Sequence, residues 1–230
     1  MPAMPEVLVT TGLAPAAPAP RASLVDRGNG LLYDSVLGIT WLQDANYART
    51  VKHRGTAPDG GLRWAEAMSW VGGLVYQGHH GWRLPKTAPV AGSAAGWRHA
   101  TGTDGQSDGG YNILSPASEL AWMYYVNLGL QSNFTPDGKP RQPPVSGIFR
   151  NGPVLHPPGP LEGDVTFNGI TVRNLQNAVY WSQTTADFGD DFAFAMVFSV
   201  GYQGTMSKDN PNWLCWPVHD GDVAALPPGK

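Results

Sequence analysis

A single cysteine, Cys215, stands in a sequence of 230 residues. One thiol rules out an intramolecular disulfide, a Cys-rich zinc site and two-cysteine redox chemistry. Its neighbours Trp213, Leu214 and Trp216 form an apolar setting, in which cysteine behaves as a small buried hydrophobe. Charge is scarce too: Asp, Glu, Lys and Arg make up 14% of the residues, against roughly 25% in an average globular chain. With a net charge of −3 and only 15 Lys plus Arg, the chain has no basic field for a phosphate backbone, and nucleic acid is not expected as a partner. No run of about 18 apolar residues occurs, so no helical membrane span is expected. Repeats at a fixed period are missing. So are a nucleophile elbow, a phosphate-cradling glycine loop and a dinucleotide fingerprint. His79-His80 and His99 lack the His-x-x-x-His spacing of helical zinc sites, and no metal site is expected from them.

What is abundant is glycine (29), proline (21) and aromatics, with nine Trp, eight Tyr and seven Phe. Disordered chains are poor in aromatic residues, so this composition describes a folded, loop-rich body with a real core. Residues 1–22 differ from the rest. Ala-Pro repeats run from Ala14 to Pro20, and the stretch reads as a disordered tail or the remnant of an export signal without its basic start. The expected organisation is this tail, one domain over 23–223, and a short C-terminal tail over 224–230.

From Ser23 onward short strands and turns dominate. Arg27-Gly28-Asn29-Gly30 predicts a hairpin between Leu24-Val25 and Leu31-Leu32-Tyr33, because Asn-Gly readily takes the left-handed turn angles. Apolar residues at three- and four-residue steps predict a helix over 62–75. Ser115-Pro116 predicts the start of a second helix, which ends at Gly129. Ala91 to Gly110 reads as a surface loop, and Pro136 to Pro160, with eight prolines and four glycines, as a long irregular one. In Phe192 to Ser199 both alternating faces are apolar, which predicts a central strand buried on both sides. Gly201-Tyr202-Gln203-Gly204 reads as a turn, and 213–218 as a final strand. The fold class is α+β: two helices against a twisted, mainly antiparallel sheet with long loops.

Several blocks resemble one bacterial family. They are Leu24-Val25-Asp26-Arg27-Gly28-Asn29-Gly30, the run from Thr40-Trp41-Leu42 to Asn46-Tyr47-Ala48, Trp82-Arg83-Leu84-Pro85, Tyr180-Trp181-Ser182, and Trp216-Pro217-Val218-His219-Asp220-Gly221-Asp222. In this order they resemble the family named for the C-terminal domain of the Legionella collagen-like adhesin (Lcl), with His219 where that family has Arg. The resemblance implies a C-type-lectin-like fold, related in architecture to the formylglycine-generating enzyme and to the variable proteins of diversity-generating retroelements. It also implies a secreted or displayed, non-catalytic ligand-binding protein. The named adhesin is trimeric and binds sulfated glycosaminoglycans; this acidic chain lacks the polybasic surface for that ligand, and homo-oligomerisation stays open. Chemistry like the formylglycine-generating enzyme's needs a cysteine pair that the chain does not have.

The expected ligand surface comprises Tyr202, Gln203, Lys208, Asp209, Asn210, Asn212, Trp213 and Trp97. Short amides and a carboxylate beside flat rings suit sugars, whose hydroxyls take directional hydrogen bonds and whose C–H faces cover aromatic rings. Asn210-Pro211-Asn212 echoes the Pro-centred calcium and sugar motif of true C-type lectins, but their Trp-Asn-Asp triplet is absent; calcium needs six to eight oxygens and is carried only as an alternative to no cofactor. Asp, Asn and Pro also dominate ordinary turns, which is the competing reading. Glycan or protein is the expected partner. Two alternatives stand beside the adhesin-like reading: a retroelement-diversified receptor for protein ligands, and a polysaccharide hydrolase or lyase using Asp187, Asp190 and Asp191.

Overall fold

The computed structural model describes residues 23–144 and 162–225. The expected N-terminal tail, residues 145–160 of the proline-rich stretch, and residues 226–230 lie outside the described residues. The architecture is α+β, mostly sheet with a few short helices.

The first sheet joins both ends of the described chain. Strands β1 (Leu24–Gly28), β2 (Leu31–Asp34) and β3 (Ile39–Leu42) form an antiparallel meander, and β11 (Val218–Asp220) pairs antiparallel with β3. The predicted hairpin forms at its Asn-Gly: Asn29 and Gly30 both take positive φ, 54° and 79°, as a tight turn between twisted strands requires. The second sheet has the order β4-β5-β10-β9-β8, from β4 (Thr101–Gly102), β5 (Gly109–Gly110), β8 (Val179–Thr185), β9 (Phe192–Val197) and β10 (Tyr202–Ser207). Only β4 and β5 run parallel among its pairs. A separate hairpin, β6 (Glu162–Phe167) and β7 (Ile170–Gln176), turns at Asn168-Gly169, again with positive φ at both residues.

Among the described residues three α-helices accompany the sheets, one more helix than expected: α1 (Tyr47–Thr50), α2 (Trp64–Gly72) and α3 (Glu119–Trp122). Helix α2 is the predicted 62–75 helix, shortened at both ends. The Glu66 carboxylate accepts the Arg63 backbone N–H at 2.9 Å and closes the first turn, while Gly72-Gly73 ends the helix. The second predicted helix starts three residues late. Ser118, not Ser115, is the cap, its hydroxyl accepting the Ala121 N–H, because the chain at Ala117 to Glu119 pairs with Lys86 to Ala88 before the helix can start. Helix α3 then widens into a π-helical turn over Met123–Asn127.

Three strand expectations need correction. Tyr202 to Gly204 do not turn; they begin β10, and the turn lies at Phe198 to Gly201. The last strand is Val218–Asp220, whereas 213–217 runs extended beside β8 through single bridges to Leu62 and Tyr180. Strand β9 is central, as expected, and Ala193 to Met196 are buried, but Phe192 at its start is 38% exposed.

The aromatic residues make the core. Trp41, Tyr124, Tyr180, Phe198 and Trp216 belong to one buried cluster; Trp82 and Trp181 belong to a second with Leu62 and Leu84. The indole N–H groups of Trp216, Trp181 and Trp82 donate to the carbonyls of Leu42, Leu62 and His79 at 2.7, 2.9 and 3.0 Å. Burying an indole therefore leaves no lost hydrogen bond at these three positions. Arg83, the next residue in the Trp-Arg-Leu-Pro block, grips the Glu119 carboxylate with two bonds of 2.8 Å and Asp220 at 2.6 Å. Burial works against the Arg83 charge, but the hydrogen bonds and charges of Glu119 and Asp220 outweigh it and raise its pKa. The same hydrogen bond from Arg83 holds the Asp220 carboxyl below its ordinary range. Position 219 is not part of this network: the His219 ring packs edge-on against Trp82 and its nitrogens face the carbonyls of His80 and Asp220.

Candidate functional site

Strands β8 and β9 are joined by a turn rich in Asp and Gly, which carries Phe188. That side chain is 57% exposed, and its ring centroid lies 6.0 Å from that of Phe192. The loop over 91–110 folds against the same end of the sheet. It is organised by Asp108, itself buried, whose carboxylate accepts the backbone N–H groups of Val90 (2.6 Å) and Arg98 (2.5 Å). So anchored, the loop lays Trp97 flat on Phe194, with centroids 4.6 Å apart and planes 22° apart. His99 reaches the Phe188 turn twice, by a 2.9 Å contact of its Nε2 with the Asp187 carboxylate and by edge-on contact with the Phe188 ring. Trp97, expected to be exposed, is half-buried by this stacking.

The segment after β10 joins the same end. Ser207 pairs with Phe192, and the Lys208 N–H donates to the Asp191 carbonyl at 2.9 Å. Lys208 is occupied: its ammonium sits 4.0 Å from the centre of the Trp64 ring and donates to the Thr185 hydroxyl at 3.0 Å. Asp209 and Asn212 are exposed and Asn210 is half-buried. The Asn210 side-chain oxygen accepts the Asn212 N–H at 2.9 Å, a local Asx turn around Pro211. Gly61 lies directly beneath: a Cβ there would stand 2.6 Å from the Asn212 Cα, so only glycine lets the two loops touch. Trp213 turns inward, half-buried against Trp181 with centroids 4.5 Å apart.

The eight expected ligand residues therefore do not share one surface. Asp209, Asn210 and Asn212 follow β10 at the end of the sheet where Ser207 pairs with Phe192. Tyr202 stands at the opposite end of β10, about 17 Å away at about 3.4 Å per residue, where it meets Tyr111. Gln203 is 1% exposed. Its amide donates to the Asp108 carbonyl at 2.8 Å and accepts from the Ser118 hydroxyl, a buried polar link between β10, the 91–110 loop and the start of α3. Alternation along a strand, absent from a turn, sends it inward.

Of the other chemistry weighed from sequence, Cys215 is buried, and burial pushes its thiol pKa up, the reverse of a reactive thiolate. Asp187 of the acidic cluster is held by His99. Among the described residues no three His, Cys, Asp or Glu side chains gather where they could hold a metal ion, and no helix is long and apolar enough to cross a membrane. No family model, curated protein or solved structure matches the chain. The site thus rests on its own geometry. Phe188 and Phe192 are the residues that sequence reasoning missed. The available signal was Asp187-Phe188-Gly189-Asp190, a large apolar side chain among turn formers, which has no neighbouring apolar residue to bury with.

Proposed function

We propose that the protein is a non-catalytic, adhesin-like binding module with a C-type-lectin-like fold, secreted or displayed, that takes a glycan on the sheet end described above. The observation that carries this reading is the pairing of exposed Phe188 and Phe192 with the amide- and carboxylate-bearing loop of Asp209 and Asn212, joined through the Lys208–Asp191 hydrogen bond. Exposed rings offer flat apolar area to sugar C–H faces, and the loop offers directional polar partners. The reading also draws on the resemblance to the Lcl C-terminal domain family. Two of the resembling blocks meet as β3 and β11, and Arg83 of the Trp-Arg-Leu-Pro block pairs with Val218 and Asp220 of the last one.

A glycan-array screen with and without chelator tests the reading. Saccharide binding that survives chelation is expected, and replacing Asp209, Asn210 and Asn212 with Ala should remove it while stability stays within about 1 kcal/mol. Replacing Phe188 and Phe192 with Ser should weaken it about tenfold or more, as for central contact residues. Saccharide binding equal in the parent and both variants would place the site elsewhere.

A further inference from the structure

A second concave feature lies on α2, apart from the sheet end and independent of the reading just given. Ala67 and Val71 of α2 are buried, while Ala65, Glu66, Ser69 and Gly73 look outward. The turn at 53–55 rises beside this outer face, and between them runs a groove of about 700 Å³. That volume is within the roughly 300–1,000 Å³ of small-molecule sites. From Ala65 to Gly72 the groove follows about 10 Å of helix, and it continues onto Gly73, Leu74 and Val75.

Its lining is mostly apolar, with Leu62, Trp70, Leu74 and Val75 among the residues. Val75 is 50% exposed. The His53 ring lies 5.6 Å from the Trp70 ring, tilted by 42°, so the two form an aromatic corner. The charges are unequal. Glu66, the one acid in the lining, is engaged by Arg63, through the backbone N–H at 2.9 Å and the guanidinium at 3.5 Å. Arg54 on the opposite wall is exposed and has no ion pair or hydrogen bond from its guanidinium among the described residues. An apolar trough bordered by an unengaged guanidinium matches one ligand chemistry: an apolar body that ends in a carboxylate, since the guanidinium fork pairs with two carboxylate oxygens at once.

We infer that this groove binds small amphiphilic carboxylates, an apolar ring or short chain carrying one acid group, with Trp70 and Leu74 against the apolar body and Arg54 on the acid. Titration calorimetry of the full chain with 4-phenylbutyrate and with 4-phenylbutyramide tests it, since the pair differs only in the charged end. The acid should bind at least about tenfold tighter than the amide, equivalent to about 1.4 kcal/mol. Arg54→Ala should bring the acid down to the affinity of the amide. Ser69→Trp, a change at an exposed position that fills the trough, should remove both at an unchanged melting temperature. Failure of the acid to bind, equal binding of acid and amide, or acid binding that Arg54→Ala leaves untouched would each overturn the inference.

Discussion

Phe192 and Phe194 stand two residues apart on the same face of β9, yet Phe194 is 1% exposed and Phe192 38%. The difference is made by one ring. Trp97 covers Phe194, and the loop that carries it goes no farther along the strand than His99 and Phe188. The contrast recurs between two larger regions. Around Trp216 the rings of Trp41, Tyr180 and Phe198 close on one another, and the Trp216 N–H is used by a carbonyl. Around Phe188 the rings touch but stay open to water. Identical side-chain chemistry therefore stabilises the fold in one region and leaves apolar area available in the other. What separates the two is whether a second layer of chain arrives to cover them.

The largest effect should come from the closed region. Trp216→Ala should cost about 3–5 kcal/mol in denaturant melts, and Phe194→Ala nearly as much, the usual range for truncating a buried aromatic. If Phe194→Ala costs under about 1 kcal/mol, the Trp97 cover is not part of the folded core.

The ion-pair network comes next. Arg83→Ala leaves Glu119, almost wholly enclosed, with the Lys86 backbone N–H but no cation, and should cost about 3 kcal/mol. Arg83→Ala combined with Glu119→Gln should recover part of that loss, because the stranded charge is then removed as well.

The open region should respond little in stability. Phe192→Ala should shift stability by no more than about 1 kcal/mol, while weakening binding to any glycan found by the array. A Phe192→Ala loss comparable to that of Phe194→Ala would erase the contrast.

The smallest effect concerns pH. Arg83 depresses the pKa of Asp220 in the folded state, so the stabilisation is complete above the unfolded value of about 4 and is lost as pH falls through the lower folded value. The Asp220 side chain is 65% exposed, and solvent screening keeps the gain to about 1 kcal/mol or less. Asp220→Asn should lower the melting temperature slightly at neutral pH and make its decline shallower as pH falls below about 4. A decline as steep as the parent's would assign the acid sensitivity to other carboxylates.

Legibility from sequence followed the range of the signal. The β1–β2 turn, helix α2 and the central place of β9 were readable because each signal sits within a few residues: Asn29-Gly30, the three- and four-residue apolar steps, and the continuous apolar run. The same local signal at Asn168-Gly169 marks the β6–β7 hairpin. The start of α3 was misread because two serines offer caps three residues apart, and the choice between them depends on the distant Lys86 to Ala88 segment. In the candidate site, Asp209, Asn210 and Asn212 were legible as a polar turn. Gln203 was not legible as a buried link, since its partners Ser118 and Asp108 are 85 and 95 residues away.

By itself, then, the sequence determined the α+β class and an inert Cys215, because composition, short-range periodicity and apolar neighbours suffice for those. Tertiary structure alone decided that β11 returns to β3, that Arg83 rather than His219 joins Glu119 to Asp220, that Tyr202 stands a strand's length from Asp209, and that Phe192 is left uncovered beside Phe194. Each of these depends on which remote segment arrives at a given surface, and burial is a property of that arrival, not of the residue.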